Sequence, residues 1–208
     1  FILFSVYIIF VALMNTIIVE GGKDMGNRIY PIGIQNFEKI RKEGYVYVDK
    51  TALMYKLVKS GSYFFLSRPR RFGKSLLIST LEAYFEAKRD LFEGLAVETL
   101  EKDWVKRPVF HLDLNIGKYD TPDSLDKILN ETLDYWESLY GTRSAETTLA
   151  LRFAGVVGRA YEQSGERVAI LIDEYDKPLL QAIGNEELQR EFRNTLKPVS
   201  YTHLRAHE

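Results

Sequence analysis

Cysteine is absent from all 208 residues. That excludes disulfides and thiolate metal sites, and it fits a reducing, cytoplasmic setting. An excess of one charge is also missing, with 28 Lys and Arg against 29 Asp and Glu and a net charge of −1. No global field therefore draws in polynucleotide, and any nucleic-acid contact would need a local patch. Internal repeats, low-complexity tracts and Pro/Gly/Ser linkers are lacking too, so the chain reads as one α/β domain. The composition that remains, 46% hydrophobic and 27% charged, is ordinary for a globular protein.

Charge is locally absent from Phe1 to Val19, which read FILFSVYIIFVALMNTIIV. The length is that of a membrane span. A signal peptide fits less well, because no basic segment precedes the run and no small-residue cleavage site follows it. Three readings stay open: upstream sequence translated ahead of a start at Met25, a genuine membrane anchor, or a buried helix. A purine-rich coding of Glu20-Gly21-Gly22 ahead of Met25 favours the first. Residues 1–24 are accordingly set apart, and membrane anchoring is expected only if residues 1–19 belong to the protein. At the other end, residues 199–208 (VSYTHLRAHE) show neither apolar period nor capping logic and are set apart as a tail. His203 and His207 have helical metal-ligand spacing there, but the tail gives them no context.

Between these ends, residues 25–198 alternate strand-like and helix-like segments. YVYVD alternates as a strand does, and Thr51 to Lys59 reads as a helix closed by Gly61. Ser62 to Ser67 is an apolar run of strand length. Lys74 to Lys88 places Leu77, Leu81, Tyr84 and Phe85 on one helical face. Pro108 to Asn115 reads as a strand, and Thr121 with Pro122 as the start of a helix. A further helix ends at Gly165. Val168 to Ile172 is apolar throughout, the pattern of a strand buried on both faces. This alternation predicts βαβ units and a mostly parallel sheet.

Two segments carry chemistry. Leu66 to Leu76 reads LSRPRRFGKSL, a strand, a turn and Gly-Lys-Ser opening a helix. Gly73 lets backbone approach a phosphate, and the helix N-terminus presents N–H groups to it. Lys74 can reach the β- and γ-phosphates, and the Ser75 hydroxyl can ligate Mg2+. The GxxxxGK[ST] pattern would place glycine at position 68, where this chain has Arg68. Arg68, Arg70 and Arg71 beside Lys74 repel one another unless an anion sits among them. Arg68, Pro69, Arg70, Arg71, Phe72, Gly73, Lys74, Ser75 and Leu76 together form the candidate nucleotide cradle.

The second segment is VAILIDEYD, a buried strand ending in adjacent acids. Open α/β sheets bind ligands at the C-terminal edge of their strands. Asp173 is the expected Mg2+ ligand with Ser75, and Glu174 the general base acting on water. Lys74 and Glu174 are the candidate catalytic pair, with ATP and Mg2+ as cofactors. Asp113 lies on the same predicted edge, where it either lines the site or ends its strand. His111 reads as a core histidine. Tyr45, Tyr47 and Asp49 either flank a nucleotide base or fill the core.

PIGIQNFEKIRKEGYVYVDKT, YFFLSRPRRFGKSLL and AILIDEYDKPLL, in that order, resemble the AAA-ATPase-like family of bacterial proteins, over roughly residues 29 to 198. The resemblance implies a P-loop NTPase, a three-layer α/β/α sandwich with a mostly parallel sheet, incomplete at the C-terminus of this chain. It implies Mg2+-dependent ATP hydrolysis that drives a conformational change in a larger protein. The alternative is a nucleotide-binding switch, or a regulatory module of a nuclease-associated protein, with little turnover. Arg68 is a family trait. Family members often carry a C-terminal PD-(D/E)XK nuclease-like domain, so such a domain is a candidate partner beyond ATP; nucleic acid is a candidate that the net charge does not support, and an oligomer is a further candidate. The resemblance also implies a sensor strand, beyond residue 198, lying between the strand at 62–67 and the strand at 168–172.

Overall fold

The computed structural model describes the backbone of residues 6–10, all of residues 29–66, and residues 73–201 with side chains to residue 197. The four strands are β1 (Val6–Phe10), β2 (Tyr63–Phe64), β3 (Val109–Asp113) and β4 (Val168–Asp173). They form one sheet in the order β2-β1-β4-β3, with every pairing parallel. The helices are α1 (Phe37–Lys42), α2 (Thr51–Ser60), α3 (Lys74–Phe85), α4 (Ala96–Leu100), α5 (Ser124–Tyr140), α6 (Leu149–Ser164), α7 (Lys177–Gln181) and α8 (Glu186–Tyr201). The molecule is thus α/β with a small parallel sheet.

β4 organises the interior. Its six residues are all buried, and successive side chains divide between the two faces of the sheet. Val168, Ile170 and Ile172 join Phe110 and Leu112 in a cluster closed by α5, α6 and α8. Ala169 and Leu171 join a second cluster with Phe37, Leu81, Phe85 and Phe92, on the side of α1 and α3. An unbroken apolar strand is what burial on both faces requires. Phe110 stacks on Trp136 with ring centres 4.6 Å apart, which locks α5 onto its side of the sheet.

Several elements differ from expectation. The position between β2 and β4 is held by Val6–Phe10 in place of a strand from beyond residue 198, with Ile8 opposite both Tyr63 and Ile170. A gap there would leave ladder groups of two core strands unpaired, and an uncharged segment rich in β-branched residues meets that demand. The rest of residues 1–28 lies outside the described residues. Among the described residues, no helix is long and apolar enough to cross a membrane. The strand expected over Ser62 to Ser67 is two residues long. α5 begins at Ser124, not beside Thr121, whose carbonyl instead accepts from the Ser124 amide. α8 continues past residue 198 to Tyr201, while His203 and His207 lie outside the described residues.

Candidate functional site

The parallel arrangement brings the C-terminal ends of β2, β1, β4 and β3 to one edge of the sheet. α3 opens at this edge. Gly73 precedes it in the left-handed region at φ 76°, a conformation that costs glycine little. Lys74, Ser75 and Leu76 form the first turn, whose amides have no partner within the helix. Among the described residues no side chain caps that end, and its first turn contains no acid. A twelve-residue helix that follows the basic sequence Arg68 to Arg71, with no cap among the described side chains, is chemically suited to an anion. Arg68, Pro69, Arg70, Arg71 and Phe72 lie outside the described residues.

β4 delivers the acids. Asp173 is its last residue and is 6% exposed. Its Oδ1 accepts from the Glu174 amide at 2.9 Å. Glu174 follows at φ +52°, a strained setting for a non-glycine residue and one that turns its side chain out of the strand direction. The carboxylate reaches back to α3, with Lys74 Nζ 3.2 Å from Glu174 Oε1. Lys74 and Glu174 are 14% and 20% exposed, so the ion pair is largely withdrawn from water. Their proximity was not legible in the residues, because it depends on the order of the strands. A hydroxyl at Ser75 and a carboxylate at Asp173 are hard oxygen donors, the set that suits Mg2+.

Asp113 stands in register beside Asp173, so the strand-end acid does share the site's edge. Its Oδ1 accepts from the Asn115 amide at 2.7 Å. Lys177, leaving the turn after β4, donates to the Asn115 carbonyl and ties the loops after β3 and β4 together. That tie had no signal in the sequence beyond the closeness of Lys177 to the acids.

Other candidates fall elsewhere. Asp49 accepts from the amide and hydroxyl of Thr51 and from the Ala96 amide, a structural role at the start of α2. Tyr47 packs edge-on to Phe37 at 5.1 Å, and burial pushes its hydroxyl up to about 12. His111 is not a satisfied core histidine. Its Nδ1 lies 3.4 Å from Glu82 Oε2, and its buried Nε2 has no partner among the described residues. Burial alone would lower the imidazole's pKa, but Glu82, with Asp113 and Asp173, holds it above the ordinary value.

A family profile described as AAA-ATPase_like, Predicted AAA-ATPase, matches residues 31–206. The chain is 39% identical over 175 residues to a protein of Azotobacter chroococcum mcd 1 named "Uncharacterized protein in vnfD 5'region". That match takes in 83% of this chain and 34% of the relative, so the chain spans about a third of the relative's length. No solved structure matches the chain.

Proposed function

The chain belongs to the AAA-ATPase-like family, and from that premise we propose that it binds ATP with Mg2+ and hydrolyses the terminal phosphate on a P-loop NTPase scaffold, a three-layer α/β/α sandwich. The observation that carries the reading is the meeting of Lys74 and Glu174 at the edge where α3 opens and β4 ends. Lys74 holds the β- and γ-phosphates, and the free amides at the start of α3 receive phosphate oxygens. Arg68, Pro69, Arg70, Arg71, Phe72, Gly73 and Leu76 form the rest of the cradle. Ser75 and Asp173 hold Mg2+. Held there, Mg2+ would supply screening of the phosphate charge. Glu174 orients a water and takes its proton.

Lys74 and Glu174 satisfy one another in the structure, so phosphate must compete with Glu174 for the ammonium. Binding and release of the base are then one event. This supports the ATPase over a passive binder, since the carboxylate becomes available when the γ-phosphate has engaged Lys74. The module is proposed to act within a longer protein, as the coverage of the relative fits, with a nuclease-like domain and other subunits as its partners. Titration with a fluorescent ATP analogue, with and without Mg2+, tests the reading. Saturable, Mg2+-enhanced binding is expected, and the absence of binding to the chain and to its full-length relative would overturn it.

A further inference from the structure

Among the described residues, β3 has a neighbour on one side only. The Ala169 amide donates to the Pro108 carbonyl, and Val109 stands opposite Ala169. By the alternation of a parallel ladder, Pro108, Phe110 and Leu112 turn their backbone groups toward β4, and Val109, His111 and Asp113 turn theirs to the open edge. Along that edge runs a groove of about 730 Å³, walled by α3 and α5. Five residues of strand span roughly 16 Å, so the edge takes a segment of five or six residues.

The two walls differ in chemistry. On the α3 side stand Glu82, already facing His111, and Glu86, already paired with Lys88, each about a third exposed and open to a further cation. On the α5 side, Ile128, Tyr135 and Leu139 recur at helical spacing along the groove, with Glu131 among them. Tyr135 is 62% and Leu139 56% exposed, and Ile116, at the end of the groove beyond β3, is 73% exposed. An apolar stripe open to water beside an unpaired strand is the arrangement that peptide-binding sheet edges use.

We propose that this edge accepts an extended segment of a partner protein, added beside β3, in which basic and apolar residues alternate. A strand's side chains alternate between faces. Those directed at α3 meet Glu82 and Glu86, and those directed at α5 meet Tyr135 and Leu139. Lys106 and Arg107 lie at the entrance beside the start of β3, which confines the basic positions to the stretch along His111 and Asp113. A second copy of the chain is a poor occupant. Two-fold pairing of β3 with itself would set the acidic walls of the two copies against each other. The inference does not depend on the nucleotide reading: among the described residues, Gly73, Lys74, Ser75 and Leu76 of the proposed cradle do not line the groove, although Asp113 borders both.

The test titrates the full chain with three blocked peptides: alternating Lys-Val, alternating Glu-Val, and a Lys-Val peptide of the same composition in two blocks. Trp136 fluorescence and amide exchange at Val109, His111 and Asp113 are followed. The alternating Lys-Val peptide should bind and slow exchange at these three amides, with both controls weaker by roughly tenfold or more. Glu82→Gln combined with Glu86→Gln should weaken it by roughly tenfold. Tyr135→Ser, at an exposed position, should weaken it while leaving the melting midpoint unchanged. The proposal is overturned by equal binding of the acidic or block peptide. It is overturned equally by binding that leaves the three amides unprotected, or by no binding at millimolar peptide. Protection that grows with protein concentration alone would assign the edge to a second copy instead.

Discussion

Lys74, in the first turn of α3, and Glu174, immediately after β4, are held 3.2 Å apart across the edge of the sheet although β1 lies between β2 and β4. The pair joins the two sequence segments that carry the proposed chemistry, and its disruption separates binding from turnover.

Lys74→Ala removes the cation that balances the phosphates in a site where both partners are mostly shielded from water. ATP affinity should fall severely, by tenfold or more on the order of the charge-assisted hydrogen bonds lost. Titration with a fluorescent nucleotide measures it, and unchanged affinity removes Lys74 from the cradle.

Glu174→Gln keeps the size of the side chain and loses the base. Turnover should fall by about 10²–10⁴-fold. Nucleotide binding should hold or tighten, because Lys74 no longer has a carboxylate competing for it. The comparison is best made in the full-length relative, since this chain covers a third of that length. Equal rates in parent and variant exclude Glu174 as the base.

Removal of residues 1–24 takes away the strand between β2 and β4. Each buried backbone group left unpaired costs about 1–3 kcal/mol, and several together rival a typical total stability of about 5–15 kcal/mol. Residues 25–198 alone should therefore aggregate or melt broadly, with little rescue by ATP and Mg2+. A sharp calorimetric transition at the midpoint of the intact chain contradicts this.

Much of the fold was legible where one physical demand dominates. VAILI read as a strand buried on both faces, which the structure extends to Asp173, and Gly73-Lys74-Ser75 opens a helix as expected. Phe1 to Val19 was ambiguous, because a membrane span and a buried parallel strand draw on the same residues. The choice of Val6–Phe10 depends on β2 and β4, which lie far away in sequence. The site residues could be named from local pattern, but the Lys74–Glu174 contact could not, since it follows from strand order and from the positive φ of Glu174. His111 misled for a similar reason. Its apolar neighbours in FHLDL suggest the core, whereas β3 lies at the sheet's margin.

His111 gives the fold a pH dependence of definite sign. Burial opposes its charge, but Glu82 on α3, Asp113 on β3 and Asp173 on β4 raise its folded pKa above that of the unfolded chain. A raised pKa means that protonation favours the folded state. The contribution is complete below about pH 6.5, the unfolded value, and is lost as pH climbs through the folded one. Melting midpoints from pH 5.5 to 8.5 should fall more in the parent than in His111→Gln. Parallel profiles would show that His111 is not coupled to folding.

Arg152 joins α6 to α5, donating to Glu137 at 2.6 and 3.0 Å, to Asn130 at 2.6 Å and to Asp134 at 2.5 Å. Glu137 is 7% exposed, so Arg152→Ala strands a buried carboxylate. Breaking such a pair from one side costs roughly 3–5 kcal/mol. The urea midpoint should drop accordingly, and adding Glu137→Gln should restore part of the loss. No recovery in the double variant would mean that packing of the Arg152 stem, rather than charge, carries the effect.

The pairing of Ile8 with Ile170 joins two segments that lie far apart in the chain. At about 5–20 residues per second, β1 waits on the order of ten seconds or more before β4 exists to receive it. During that interval an uncharged, strand-forming segment is exposed beside the growing chain, and long-range parallel pairing is intrinsically slow to form. Yield in cells should therefore depend on holdase chaperones and on growth temperature more steeply than the stability of the finished protein would indicate.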